Sequence, residues 1–327
     1  MAKLVTIYGG SGFVGRYIAR RMAKQGWRVR VAVRRPNEAM HVKPYGAVGQ
    51  VEPVLCNIRD DASVALAMQG ADAVVNCVGT FDKGGKNNFE AVQVEGAERV
   101  ARLAAAQGVG QLVHISAIGA DAESDSIYQR TKAEGEAAIL ASFPNAVILR
   151  PSVIFGQEDG FFNRFATMSK LGPVLPLVGA DTKFQPVYVD NVAEAAEKGV
   201  LGEAAPGVYE LGGPDVETFR ELMQGMLAAI YRRRLILNLP FFAANILAGV
   251  LDFASAVTVG LFKNGILTKD QVKSLKQDNV VSEGTKGLAD LGIKPTAYPA
   301  VIREYLWRFR PQGQYDDITA SGKNLKV

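Results

Sequence analysis

The chain has 327 residues, of which 48% are apolar and 21% charged, the composition of an ordinary globular protein and neither a fibrous nor an unstructured one. A net charge of +4 leaves room for an acidic partner or an anionic membrane surface and gives no reason to expect nucleic acid. The cysteines, Cys56 and Cys77, match neither a zinc spacing nor a disulfide framework and read as small buried residues at strand ends. Met1 leads straight into a strand pattern, so the expectation is no signal or transit peptide and a reducing, cytoplasmic setting.

Lys3–Tyr8 reads as a short buried strand, and Gly9, Gly12 and Gly15 follow it at the spacing G-x-x-G-x-x-G. Phe13 and Val14 then open an amphipathic helix that runs to about Gln25. Gly9 allows the tight strand-to-helix turn, Gly12 lets a pyrophosphate approach the backbone, and Gly15 lets helix and sheet pack closely. The helix start adds free N–H groups and the positive end of a dipole. A second strand, Arg28–Val33, ends in Arg34-Arg35-Pro36. In dinucleotide folds an acid at this place meets the ribose 2′-hydroxyl of NAD, whereas an arginine pairs with the 2′-phosphate of NADP. Two arginines and no acid predict NADP(H).

Val51–Cys56 is the next strand, followed by Asn57-Ile58-Arg59-Asp60 and a short helix over Asp61–Gln69. Ala73–Cys77 is a strand running into Val78-Gly79, Phe89–Gln107 a long helix, and Gln111–Ser116 a fifth strand. Ser126–Ser142 is helical and Ala146–Arg150 a sixth strand. This alternation predicts an α/β fold with a doubly wound parallel sheet, its crossovers right-handed. On the helix after the fifth strand, Tyr128 and Lys132 stand four apart and share a face. An ammonium beside a phenol lowers the phenol's pKa, so the pair suits proton transfer while the lysine holds a ribose.

From Phe155 the pattern changes. Gln157–Met168 is aromatic-rich, Leu171–Val178 reads as a loop, Phe184–Val189 as a strand, Asp190–Gly199 as a helix and Gly207–Leu211 as a strand. Thr218 with Glu221, and Thr268 with Gln271, form capping boxes. Arg232-Arg233-Arg234 precedes the apolar stretch Leu235–Phe262, which Asn238, Pro240, Asn245 and Asp252 interrupt. A membrane-crossing helix, a buried helical hairpin and a basic-flanked element lying on a membrane or partner all remain open, the last favoured. Thr296–Arg310 is the last helix, and the polar run from Pro311 reads as a tail, disordered alone or extended along a partner. The expected domains are 1–155 with part of 180–215 returning to it, 156–310 with the apolar segment 235–262, and the tail 311–327.

The Gly9–Gly15 turn, Cys77-Val78-Gly79, Tyr128/Lys132 and Arg150–Gly156 (RPSVIFG) resemble the short-chain dehydrogenase/reductase superfamily in its extended or atypical branch. That resemblance places Ile58, Ser116, Pro151, Ser152 and Val153 along the nucleotide as well, the last three on its nicotinamide side. Two departures stand out. The substrate-orienting hydroxyl expected just after the fifth strand falls on Ala117, with Ser116 one step earlier on the other face. Asn57 stands where an aspartate usually meets the adenine.

The segments Arg150–Met168, Gln185–Val189, Leu267–Leu275 and Leu288–Thr296 are similar to one subfamily, the nucleotide-binding accessory subunit of respiratory complex I. The resemblance implies a tightly held NADPH serving structurally, other complex I subunits as partners, and a place on the peripheral arm near the membrane and quinone site. With no transit peptide it further implies a bacterial protein, peripheral on the cytoplasmic face of the inner membrane. The competing reading is a free-standing NADPH-dependent reductase or epimerase-like enzyme, with Tyr128 as acid and Lys132 as orienter.

Overall fold

The computed structural model describes residues 2–81, 84–257 and 268–322. Its chain divides into two units, Met1–Ser152 with Val189–Gly212 and Val281–Pro295, and Val153–Tyr188 with Gly213–Val280 and Thr296–Val327.

The first unit is built on seven parallel strands: β1 (Leu4–Tyr8), β2 (Arg28–Val33), β3 (Val51–Leu55), β4 (Ala73–Asn76), β5 (Gln111–Ile115), β6 (Val147–Pro151) and a seventh, Gly207–Leu211. Their order across the sheet is β3-β2-β1-β4-β5-β6 and then the seventh. β1 and β4 are buried at every position, as strands covered by helices on both faces must be. Pro53 sits within β3, which is tolerated because β3 is an edge strand and needs fewer ladder donors. The order reverses between β1 and β4, the switch point at which such sheets open a crevice at the strand ends. Cys56, Cys77 and Ser116, expected as terminal strand residues, each lie one residue beyond the strand they follow.

Helix α1 (Phe13–Lys24) buries Tyr17, Ile18 and Met22, while Arg21 reaches across to Asp190 and Glu197 of the helix Val189–Leu201, both at 2.8 Å. Asp60 caps α2 (Asp61–Met68), its carboxylate accepting the Ser63 N–H. The long helix expected from Phe89 opens instead as a wide π-turn, Glu90–Val94, before α3 (Glu95–Ala106). The cause lies on α4 (Ile127–Ser142): Gly135 has no side chain, and the Gln93 carbonyl occupies the space a Cβ there would fill.

The second unit packs Phe155, Phe162, Phe184, Phe219 and Tyr298 into an aromatic core, with helices Phe162–Met168, Phe219–Ala229 and Tyr298–Leu306 around it. Both capping boxes form, Thr218 with Glu221 and Thr268 with Gln271. The loop expected over Leu171–Val178 is a strand from Val174, pairing in parallel with Leu235–Leu239. Leu175 and Leu177 point inward on alternate positions, and a two-stranded ribbon leaves an open edge that accommodates Pro176. The apolar segment 235–262 is therefore a strand followed by the helix Phe241–Val257, and its residues 258–262 lie outside the described ones.

Ala244 and Ala248 are buried on one side of that helix, whereas Phe242, Ile246 and Val250 are 60–70% exposed on the other. The side chains of Leu247, Leu251 and Phe253 lie outside the described ones. None of the described helices is long and apolar enough to cross a membrane. The arginine cluster is not wholly free for headgroups. Arg232 Nε donates to the Phe309 carbonyl at 2.8 Å and Arg234 Nε to that of Ser169 at 2.7 Å, leaving Arg233 exposed. In the tail, for which disorder alone or extension along a partner was expected, Asp316–Gly322 is helical, with the Asp316 carboxylate accepting the Gln312 N–H.

Candidate functional site

The glycine turn meets the switch point directly. Gly9 has φ +73°, a left-handed conformation that glycine adopts without strain, and a Cβ there would lie 3.2 Å from the Cys77 carbonyl and 3.3 Å from Val78 Cγ2. A Cβ on Gly15 would stand 2.5 Å from the Gly9 oxygen and 2.6 Å from Gly10 Cα, so helix and turn touch backbone to backbone. Gly12 is different. It is exposed, its φ of −71° suits any residue, and a Cβ would meet only the Gly9 oxygen at 3.1 Å. Gly12 thus marks the open side of the cradle, where Phe13, Val14 and Gly15 present the first N–H groups of α1. Arg16 adds a cation at the same place, donating to the Ser11 carbonyl at 3.0 Å and to that of Gly12 at 3.2 Å. Arg16 is absent from the expected site, although its place directly after the third glycine is a signal in the sequence.

At the adenosine end, parallel pairing of Val33 with Leu55 puts the segments after β2 and β3 side by side. Arg34 is exposed and unpaired among the described residues. Arg35 is also exposed but donates to Glu38 at 3.0 Å, so an acid already competes for it. The Asn57 side-chain oxygen accepts the Arg59 N–H at 3.2 Å, which leaves the amide NH₂ as a donor. Ile58 is buried beneath Gly96, whose absent side chain gives it room. Arg59, another residue missed from sequence, has its Nε buried without an acceptor among the described residues.

At the other end, α4 brings Lys132 beneath β5. Its Nζ donates to the Ile115 carbonyl at 3.1 Å and lies 3.9 Å from where a Cβ on Gly79 would be. Burial pushes the lysine down to about 8. Tyr128, one turn earlier, is held between the rings of Phe81, stacked at 5.3 Å, and Phe89, edge-on at 6.1 Å. Part of its ring reaches solvent, yet protein surrounds the phenol closely, and that desolvation pushes it up to about 12. The lowering expected from the lysine does not prevail: loss of hydration raises the phenol.

Ser116 is buried and donates its hydroxyl to Glu136, which also takes two hydrogen bonds from Arg150 Nε and one of 2.6 Å from Nη2. Its hydroxyl is therefore committed to the helix side, while Ala117, with no hydroxyl, follows it. His114, two residues before Ser116 on β5, is buried, which lowers its pKa well below the ordinary value, and its Nδ1 has no partner among the described residues. Pro151 ends β6 and Ser152 is tied to Leu211 by a 2.9 Å backbone bond. Val153 opens the second unit, its N–H on the Asn279 side-chain oxygen at 3.1 Å.

This arrangement fits a dinucleotide: a cradle that side chains at Gly9 and Gly15 would fill, a helix start facing it, unpaired arginine at one end and a buried lysine at the other. It can grip phosphates and a ribose; it presents no hydroxyl at position 117 to polarise a substrate carbonyl.

A family model described as NAD(P)H-binding matches residues 9–170. The chain is 34% identical over 326 residues to the NADH dehydrogenase [ubiquinone] 1 alpha subcomplex subunit 9, mitochondrial, of Arabidopsis thaliana, covering 98% of this chain and 81% of that one. It is 32% identical over 323 residues to the mitochondrial NADH-ubiquinone oxidoreductase 40 kDa subunit of Neurospora crassa, covering 98% and 83%. In fold it resembles the Thermus thermophilus UDP-glucose 4-epimerase crystallised with NAD, at a TM-score of 0.67 and 20% identity, covering 94% of this chain and 99% of that one. With a Rossmann-type nucleotide domain in the short-chain dehydrogenase mould and near-full-length identity above 30%, the chain belongs to the family of the alpha subcomplex subunit 9 of NADH dehydrogenase [ubiquinone].

Proposed function

We propose that this protein is an accessory subunit of respiratory complex I that holds NADPH as a structural cofactor. One observation supports this role over catalysis: the hydroxyl of Ser116 is bound to buried Glu136 while position 117 carries alanine. When bound, the nicotinamide would supply a hydride, and position 117 of this chain offers a substrate carbonyl no hydroxyl to orient it. Gly12 and the start of α1 hold the pyrophosphate, Arg34 the 2′-phosphate, the Asn57 amide the adenine, and Lys132 with Tyr128 the nicotinamide ribose. Mass action then makes the nucleotide a stabiliser, contributing about 2.7 kcal/mol at a hundred times Kd.

The protein sits on the cytoplasmic face of a bacterial inner membrane, peripheral, among other complex I subunits. The surface suited to a membrane or membrane subunit is the exposed stripe Phe242, Ile246 and Val250, beside which Lys269 offers a cation. Extraction of the purified, assembled complex and assay of the released nucleotide tests the reading. NADPH in about one-to-one ratio with this chain is expected, together with unchanged quinone reductase turnover in Tyr128→Phe. Steady NADPH oxidation by the isolated protein would return the argument to a free-standing reductase.

A further inference from the structure

Phe81 follows β4 on the segment that leaves the switch point, and its side chain is 72% exposed, a large apolar ring facing water. Its position is nevertheless built. The ring lies nearly parallel to that of Tyr128, 19° apart. Behind it, the Gln93 side chain, 2% exposed, donates through Nε2 to the carbonyl of neighbouring Thr80 at 2.8 Å. The same amide accepts from Thr131 Oγ1 at 3.1 Å, and Thr131 lies between Tyr128 and Lys132 on α4. Gln93 reaches both from the π-turn Glu90–Val94, where Gly135 of α4 makes room for its carbonyl. Two departures from ordinary helix packing, a wide turn and a bare glycine, thus fix one exposed aromatic over the phenol. π-turns inside helices are often found at functional sites.

We propose that Phe81 is an aromatic cover over the nicotinamide end of the nucleotide cleft, anchored by Gln93 and acting to retain bound NADPH. The inference rests on the reading of Tyr128 and Lys132 as ribose-holding groups. Gln93 is a positioning residue: it touches no nucleotide and acts through Phe81. A single exposed ring is ordinary on a protein surface; what distinguishes Phe81 is its stacking on Tyr128 and the hold of Gln93 on the backbone beside it, and a flat side chain held from behind can cover without closing the cleft.

The test uses the full-length protein and NADPH fluorescence, first titrating binding and then following release into excess unlabelled NADP+. Phe81→Ala is expected to speed release about three- to tenfold, the size of one aromatic contact, whereas Phe81→Tyr keeps the wild-type rate. Gln93→Leu preserves volume, removes both amide hydrogen bonds, and is expected to speed release with Phe81 still present. Thermal melting separates a loosened cover from a loosened fold, and Phe81→Ala, at an exposed site, carries the test even if Gln93→Leu folds poorly. Wild-type release rates in Phe81→Ala, or equal acceleration in Phe81→Tyr, would overturn the proposal while leaving the nucleotide reading intact. Failure of the wild-type protein to bind NADPH would remove that reading and the cover with it.

Discussion

At the scale of single residues, the spacing of Tyr128 and Lys132 and the arginines after β2 could be read from the chain, because each depends on neighbours within a turn or a strand end. Their energetics could not. Arg35 shares its charge with Glu38, so the two arginines are unequal. Arg34→Ala is expected to cut the preference for NADPH over NADH about ten- to a hundredfold, the worth of a charge-assisted contact, and Arg35→Ala to cut it less. Competitive titration of the two nucleotides measures both. The pKa of Lys132, lowered to about 8 by burial, has a signed consequence. Between about 8 and the ordinary lysine value of 10.5, the unfolded chain binds a proton that the folded chain does not, so stability rises with pH across that window. The cost of the buried amine is fully present below about 8. An anionic nucleotide draws the proton back, so binding at pH 8 should take up roughly half a proton, and affinity should fall as pH rises further. Calorimetry in buffers of different ionisation heat reads the uptake; Lys132→Met should abolish it. The diversion of Ser116 to Glu136 was out of reach, since it joins a strand end to a helix through side chains alone.

At the scale of elements, the six alternating strands and their helices were legible to within a residue or two, because buried parallel strands are short apolar runs with few rivals. The misses share a cause. Val174–Val178 and Leu235–Leu239 are strands only through each other, and neither carries that information locally. The π-turn at Glu90–Val94 is likewise set by Gly135, far along the chain. The glycine turn separates binding from folding in one experiment. Gly15→Ala drives a Cβ into two backbone atoms and should cost about 2–4 kcal/mol of stability with little protein folded. Gly12→Ala meets one oxygen at 3.1 Å and should cost about 1 kcal/mol or less while weakening nucleotide binding at least about tenfold. Melting curves with and without NADPH distinguish them, and a Gly12→Ala protein that is stabilised by NADPH like the wild type would remove the pyrophosphate from this turn.

At the scale of the molecule, the exposed stripe on the helix Phe241–Val257 gives a cleaner probe of docking than the arginines, since Arg232 and Arg234 hold backbone carbonyls and their loss would disturb the fold. Phe242→Glu with Ile246→Glu is expected to leave NADPH binding and melting unchanged and to release the protein from membranes and complex; retention of both would refute the stripe as the docking face. The nucleotide-binding unit, meanwhile, is assembled from three stretches, Met1–Ser152, Val189–Gly212 and Val281–Pro295. The seventh strand comes from the second stretch, and the third supplies the Ser282 N–H to the Glu210 carboxylate and the Lys286 carbonyl to the Glu210 N–H. On the ribosome this sets a schedule. The glycine turn and both ends of the cleft are synthesised within the first half, but the sheet beside them waits for residue 211 and its last backing for residue 295. Until then its contacts span long loops, which makes closure slow and the nascent sheet edge open to chaperones. Completion of this unit therefore waits for the chain past Pro295, whatever the supply of ligand.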